Sequence, residues 1–98
     1  MDGIVFPSKR EAARYLELKL LERAGEITGL EVHPVYKLPI KSIGKPHKVT
    51  FVGSYIADFA YKEDGKEIVE DCKGVKTTTY RLKKRLVEAL YGIEVRET

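Results

Sequence analysis

Two aspartates, Asp58 and Asp71, are predicted to lie side by side on neighbouring strands of a β-hairpin. Directly opposed side chains in such a pair have Cβ atoms roughly 4.5–5.5 Å apart. At an effective dielectric constant of about 20, two carboxylates at that separation repel each other by roughly 3 kcal/mol. A cation between them would turn the repulsion into attraction, and oxygen ligands at this spacing suit Mg²⁺.

The hairpin is predicted from the dipeptide Asp64-Gly65, which suits the positive φ angles of a two-residue loop. Its flanks are rich in aromatic and β-branched residues, as strands are. The resulting register pairs Glu63 with Lys66, Ala60 with Val69, and Asp58 with Asp71.

Side-chain alternation decides which acid faces Asp58, because residues two apart on a strand project to the same side. Asp71 therefore shares a face with Lys73, whereas Glu70 and Cys72 project to the other face. The sequence thus predicts two carboxylates and one ammonium group on one patch of sheet.

Length and composition predict a single domain spanning residues 1–98. A hydrophobic content of 43% and a charged content of 34% are typical of a globular protein. The uncharged apolar runs are much shorter than the roughly 18 residues that span a bilayer, so we expect no membrane segment. One cysteine and an N-terminus without the layout of a secretory signal favour a reducing, cytoplasmic location.

Positive charge is concentrated in two stretches of the chain. Residues 37–48 hold four lysines and residues 73–85 hold six basic residues, with no acid in either stretch. Because the net charge of the whole chain is +3, the remainder carries −7. Such concentration is expected where a polyanion such as DNA is bound, although two solvated faces would have the same composition.

A first helix is predicted over residues 8–24, with Ser8 as N-cap and Gly25 as the C-terminal stop. Glu11 completes a capping box, or it leans over the sheet towards the two aspartates. Glu17 is a second candidate for the site, because it falls inside the apolar arc and a buried glutamate needs a partner. That arc consists of Ala13, Leu16, Leu20 and Leu21.

The remaining elements are three strands, a helix and a last strand. Strands are predicted over residues 30–38, 49–61 and 67–73, with a mobile loop over 39–48. Pro34 indicates an edge or a bulge, and a lone histidine beside it, His33, is more often a packing or surface residue than a metal ligand. The threonines at positions 77–79 are candidate N-caps of a second helix, and a short strand over residues 93–96 is predicted to lie parallel to the third. The predicted inward stripe of the second helix consists of Leu82, Leu86, Ala89 and Leu90.

This αβββαβ order, with an aspartate on the second strand and (D/E)-x-K on the third, resembles the PD-(D/E)XK nuclease superfamily. The closer likeness is to small phage proteins of that superfamily, among them an uncharacterised phage group and the endonuclease I type of Holliday-junction resolvase. Most of the chain is covered by the matching segments SKREAARYLEL, YIADF, VEDCKG and YRLKKRL. Two departures are Ala57 in place of the proline of the superfamily motif, and His33 where glutamine is expected before Pro34.

The resemblance implies an α+β fold with a restriction-endonuclease-like core, in which helices flank a mixed sheet. It implies Mg²⁺-dependent hydrolysis of DNA, with Mn²⁺ able to substitute, and it makes Glu11 a metal-site carboxylate. The implied metal ligands are Glu11, Asp58, Asp71 and the carbonyl oxygen of Cys72. Lys73 would orient the attacking water or stabilise charge on the phosphorane.

The implied substrate is branched DNA in phage replication or recombination, and resolving a four-way junction takes two cuts and hence a homodimer. The alternatives are a non-catalytic DNA-binding accessory protein and a surface on which the carboxylates form ordinary ion pairs. The residues expected to contact the DNA backbone are Lys41, Lys45, Lys48, Lys76, Thr77, Tyr80, Lys83 and Lys84.

Overall fold

A computed structural model describes residues 2–42, 45–72 and 76–98, with residues 39–42 and 45–52 described by their backbone alone. The predicted α+β class is confirmed, with a four-stranded mixed sheet in the order β1-β4-β5-β6 and a separate antiparallel pair, β2-β3. The elements are α1 (Lys9–Arg23), β1 (Thr28–Val32), β2 (Val35–Ser42), β3 (Lys45–Ile56), β4 (Phe59–Glu63), β5 (Lys66–Asp71), α2 (Thr78–Tyr91) and β6 (Glu94–Glu97).

The central hairpin, β4–β5, has the predicted register. Glu63 pairs with Lys66 and Ala60 pairs with Val69 across two antiparallel strands. Asp64 and Gly65 have φ angles of 52° and 76°, the positive values that a two-residue loop requires. The last strand, β6, pairs in parallel with β5, as predicted from the helical crossover between them.

Two of the predicted strands are each divided in two by a bend. The break in the first falls at His33 and Pro34, and the break in the second falls at Ala57 and Asp58. The two bends are joined by backbone hydrogen bonds, in which the His33 amide donates to the Asp58 carbonyl at 2.9 Å and the Ala57 amide donates to the Pro34 carbonyl at 3.1 Å. Each long strand therefore contributes to both sheets.

The predicted mobile loop over residues 39–48 is wrong as far as its backbone is described. β2 continues to Ser42 and β3 begins at Lys45, so most of this stretch is paired strand. The ladder shifts register between Leu38 and Pro39, where proline has no amide hydrogen to donate. Proline here produces a bulge within the strand pair and does not end it.

The buried face of α1 differs from the predicted apolar arc. Ser8 is the N-cap as predicted, but Tyr15 and Leu18 are the apolar side chains buried on the sheet. Leu16 and Leu20 are 50% and 64% exposed. The reason is an aromatic cluster on this face of the sheet, which receives the tyrosine ring. Tyr15 and Leu18 pack there with Ile27, Phe59, Tyr61 and Ile68.

The other face of the sheet is covered by α2. Thr77 is its N-cap and Gly92, at φ 63°, its C-cap. Val87 is the fully buried residue, whereas Leu82 and Leu90 are 54% and 51% exposed, so the predicted inward stripe is wrong except for a partial contribution from Leu86. The residues packed with Val87 include Leu38, Tyr55, Ala60, Val69 and Val95. Within the residues described, no helix combines the length and the apolar character needed to cross a bilayer.

A matched pair of substitutions on α1 tests this orientation. Leu18→Ala is expected to lower the free energy of unfolding by about 2–5 kcal/mol, because it removes a fully buried side chain and leaves a cavity. Leu20→Ala, the same change at a site that is 64% exposed, is expected to cost less than about 0.5 kcal/mol. Urea denaturation of both variants measures the difference, and equal losses would contradict the orientation of α1.

Candidate functional site

Three side chains with metal-ligating atoms meet beside the first turn of α1. One ligand atom from each of Glu11, His33 and Asp58 lies within 4.8 Å of the other two. Glu11 is buried, and the other two are half-buried, so the cluster can be reached from solvent. Two of its members, Glu11 and Asp58, were predicted site residues, whereas His33 was not.

Glu11 is positioned by the start of α1. Its amide donates to the N-cap hydroxyl of Ser8 at 3.2 Å, and its carboxylate is 3.9 Å from Nε2 of His33. The alternative candidate, Glu17, has a side chain that is 63% exposed and pairs with Arg14 at 2.8 Å. The expectation that Glu17 is buried is therefore wrong, and Glu11 is the glutamate of the cluster.

His33 lies in the connection between β1 and β2. Its φ of 53° falls in the left-handed region, which few residues other than glycine adopt. This conformation is stabilised by the hydrogen bond from its amide to the Asp58 carbonyl, and the imidazole ring lies 6.0 Å from the ring of Phe6. One feature of the sequence singles out this position, namely a histidine where the resemblance expects glutamine.

Asp58 occupies the bend between β3 and β4, where three hydrogen bonds hold it. Its carbonyl accepts from His33, and its amide donates to the Glu70 carbonyl at 3.1 Å. Its Oδ2 accepts a hydrogen bond from the amide of Cys72 at 2.6 Å, a short distance typical of a charge-assisted bond. The carboxylate is therefore fixed by backbone atoms.

The carboxylates of the cluster also influence the neighbouring thiol, that of Cys72. Burial raises the pKa of Cys72 above its ordinary value, and the nearby carboxylates of Asp58 and Glu11 raise it further. Both effects disfavour a second anion in this region. The Cys72 thiol lies 3.2 Å from the Thr98 hydroxyl, and the proposed role of the Cys72 carbonyl as a ligand remains a prediction.

Asp71 lies on the other face of the sheet and outside this cluster. It is fully buried and accepts a hydrogen bond from the Tyr55 hydroxyl. The strand pairing ends at Phe59 and Glu70, because Asp58 has left the strand. The predicted pairing of Asp58 with Asp71 is therefore not part of the ladder, whose last pair is Phe59 with Glu70. Asp71 and Glu70 face opposite sides of the sheet, as predicted.

Glu70 is a fully buried carboxylate that ties β5 to α1. Arg14 donates to both of its oxygens, from Nε at 2.8 Å and from Nη2 at 2.7 Å, and the Tyr61 hydroxyl donates a further hydrogen bond. The contact raises the pKa of Arg14 above its ordinary value. Burial and the bond to Glu70 raise the pKa of Tyr61 to about 12. Glu70 therefore has a structural partner.

The predicted DNA-contacting residues in α2 and directly before it lie around two features, a cavity and the Glu97 carboxylate. Thr77, Tyr80 and Lys83 line a cavity of about 340 Å³ whose wall also includes Tyr55, the partner of Asp71. Lys76 and Lys84 lie instead around Glu97, at 3.5 Å and 3.1 Å. Burial, followed by the charges of Asp71 and Glu97, raises the pKa of Tyr80.

Several predicted site residues are not described by the structure. Lys73 lies outside the described residues, and the side chains of Lys41, Lys45 and Lys48 also lie outside them. The predicted roles of these four lysines remain predictions.

The fold and site define an α+β protein in which two helices cover a mixed sheet and a Glu–His–Asp cluster lies at the start of the first helix. The chain belongs to the family described as "Protein of unknown function (DUF1064)", whose model matches residues 1–98. No curated protein matches the chain. An assignment of function therefore rests on the chemistry of the site.

Proposed function

We propose that this protein is a metal-dependent endonuclease of the PD-(D/E)XK type that hydrolyses DNA and prefers branched substrates. The observation that carries the proposal is the meeting of Glu11, from α1, with Asp58, from the β3–β4 bend, within 4.8 Å. Bringing two carboxylates this close costs free energy, which a bound cation would recover. The sequence resemblance independently assigns the same two residues to a metal site.

The donor atoms of these residues fit a divalent ion such as Mg²⁺, with Mn²⁺ as a substitute. Carboxylate oxygens are the ligands that Mg²⁺ prefers, and the Cys72 amide holds the Asp58 carboxylate while leaving lone pairs for an ion. When bound, such an ion acts as a Lewis acid on the scissile phosphate and lowers the pKa of a bound water.

Asp71 and Lys73 are the remaining members of the proposed catalytic set, and Asp71 would join it from the opposite face of the sheet, at the end of β5. Lys73 would orient the attacking water or stabilise the charge that develops on the phosphorane. Asp71 would be the third acid, oriented by the hydroxyl of Tyr55. Because Tyr55 also lines the cavity beside Thr77 and Lys83, a DNA backbone held in that cavity would lie close to Asp71.

Cleavage of a panel of DNAs tests the proposal. With Mg²⁺, purified protein is expected to cut a synthetic four-way junction in paired strands, and to cut flapped, nicked and plain duplex DNA more slowly. Paired cuts require two active sites, so the proposal includes a homodimer. Asp71→Ala and Lys73→Ala are expected to abolish cleavage, and cleavage by either variant equal to that of the unaltered protein would contradict the assignment.

A second candidate function is DNA binding without cleavage. It is favoured by one observation, namely that Asp71 lies outside the Glu11–His33–Asp58 cluster among the described residues. An accessory protein of this kind would shift branched DNA in a native gel, in a salt-dependent manner, and would cut none of the panel with either Mg²⁺ or Mn²⁺.

A further inference from the structure

We infer that His33 is a third metal ligand and that it makes the site prefer a first-row transition ion such as Mn²⁺ over Mg²⁺. The inference rests on the proposed metal centre, but it concerns which ion is bound and by which atoms. It can therefore be tested without any cleavage of DNA.

The distance between His33 and Glu11 fits a shared ion better than a direct contact. Nε2 of His33 and Oε1 of Glu11 are 3.9 Å apart, which is too long for a hydrogen bond. Two ligand atoms that are each about 2.1 Å from one ion can be up to about 4.2 Å apart. The observed separation falls within that limit, so one ion can bind both atoms with little movement.

The backbone holds His33 in the position that this contact needs. A histidine at φ 53° is uncommon, and such conformations persist where the surrounding structure imposes them. The same residue donates its amide to the carbonyl of Asp58, so two members of the cluster are joined through their backbones. The ring packs against Phe6 on one side, and the side chain is 37% exposed, which leaves the imidazole open to an ion from solvent.

The donor set then determines the metal preference. Mg²⁺ favours an all-oxygen environment and gives up its waters reluctantly. Imidazole nitrogen is a softer ligand and strengthens binding of transition ions, in the order that runs from Mn²⁺ to Cu²⁺. One nitrogen beside two carboxylates therefore raises affinity for Mn²⁺ more than affinity for Mg²⁺.

The experiment uses the full chain, with Mn²⁺ as the probe and no DNA. Free Mn²⁺ is measured by electron paramagnetic resonance during titration of the unaltered protein, of His33→Asn and of His47→Asn, and Mg²⁺ affinity is measured by competition. Asparagine tolerates a positive φ, so His33→Asn keeps the backbone conformation. His47→Asn is the control, because His47 is the only other histidine of the sequence. We expect His33→Asn to weaken Mn²⁺ binding by at least about 10-fold and to change Mg²⁺ binding much less.

A spectroscopic signature separates ligation from support of the fold. Electron spin echo measurements on the Mn²⁺ complex should show coupling to a directly bound ¹⁴N, which His33→Asn loses and His47→Asn retains. Bound Mn²⁺ without that coupling, or equal Mn²⁺ affinity in both variants, would overturn the inference. A protein with nitrogen-ligated Mn²⁺ that cuts no DNA would support the inference and contradict the nuclease proposal, so the two failures are distinguishable.

Discussion

Replacing Asp58 with asparagine is expected to lower kcat/KM for cleavage of a four-way junction in Mg²⁺ by about 10³-fold or more. The variant keeps the shape of the side chain, and its amide oxygen can still accept the hydrogen bond from Cys72, so the bend should be preserved. The variant loses the negative charge that would hold the metal ion. The bound ion stabilises the transition state by several kcal/mol, so its loss slows cleavage. Initial rates at saturating and limiting Mg²⁺, with Tm as a check on folding, measure the effect.

Asp64→Asn is the matched control for that substitution. Asp64 is an exposed turn residue at φ 52°, a conformation that asparagine also adopts readily. The control removes the same charge at the other end of β4, away from the cluster, and is expected to cleave as the unaltered protein does. Cleavage by Asp58→Asn within threefold of the control would remove Asp58 from the proposed site.

Features that depend on neighbouring residues in the sequence could be predicted from the sequence alone. The Asp64-Gly65 turn determines the pairing of Glu63 with Lys66, and Ser8 and Thr77 determine where the helices begin. In each case a short stretch contains both the conformational preference and the hydrogen-bonding group that satisfies it. These interactions remain the same when the rest of the chain folds.

The buried faces of the helices could not be predicted in the same way. A helical wheel ranks positions by hydrophobicity, and it places Leu16 and Leu20 inside. In the structure, that side of α1 is outside, because Arg14 turns towards the buried Glu70 and Tyr15 enters the aromatic cluster. A buried ion pair between residues 56 positions apart in sequence has no periodic signature, so the wheel could not have shown it.

Only part of the candidate site could be predicted from the sequence, because the contacts that bring its residues together are between distant segments of the chain. Asp58 was predicted from the register of the hairpin and Glu11 through the resemblance, since spacing alone could not decide between Glu11 and Glu17. His33 was considered and not favoured as a ligand, because its position beside Glu11 depends on a positive φ and on a hydrogen bond to the Asp58 carbonyl. Neither of these is visible in the sequence around Pro34.

Arg14→Met is expected to lower the free energy of unfolding by about 3–5 kcal/mol. The Arg14 guanidinium makes two short hydrogen bonds to Glu70, whose side chain is fully buried, and its loss would leave an uncompensated charge in the sheet. Tyr61 would remain as one donor, but a single hydroxyl does not neutralise a carboxylate. Urea denaturation of the purified variant measures the loss.

The double variant Arg14→Met, Glu70→Met distinguishes a buried charge from lost packing. Removing both partners eliminates the unpaired charge, so the double variant is expected to be more stable than Arg14→Met alone, although the Tyr61 hydroxyl loses its acceptor. Lys19→Met, which breaks the exposed pair with Glu22 at 3.5 Å on the same helix, should cost less than about 1 kcal/mol. A double variant less stable than the single one would mean that Arg14 stabilises α1 through its packing and not by neutralising Glu70.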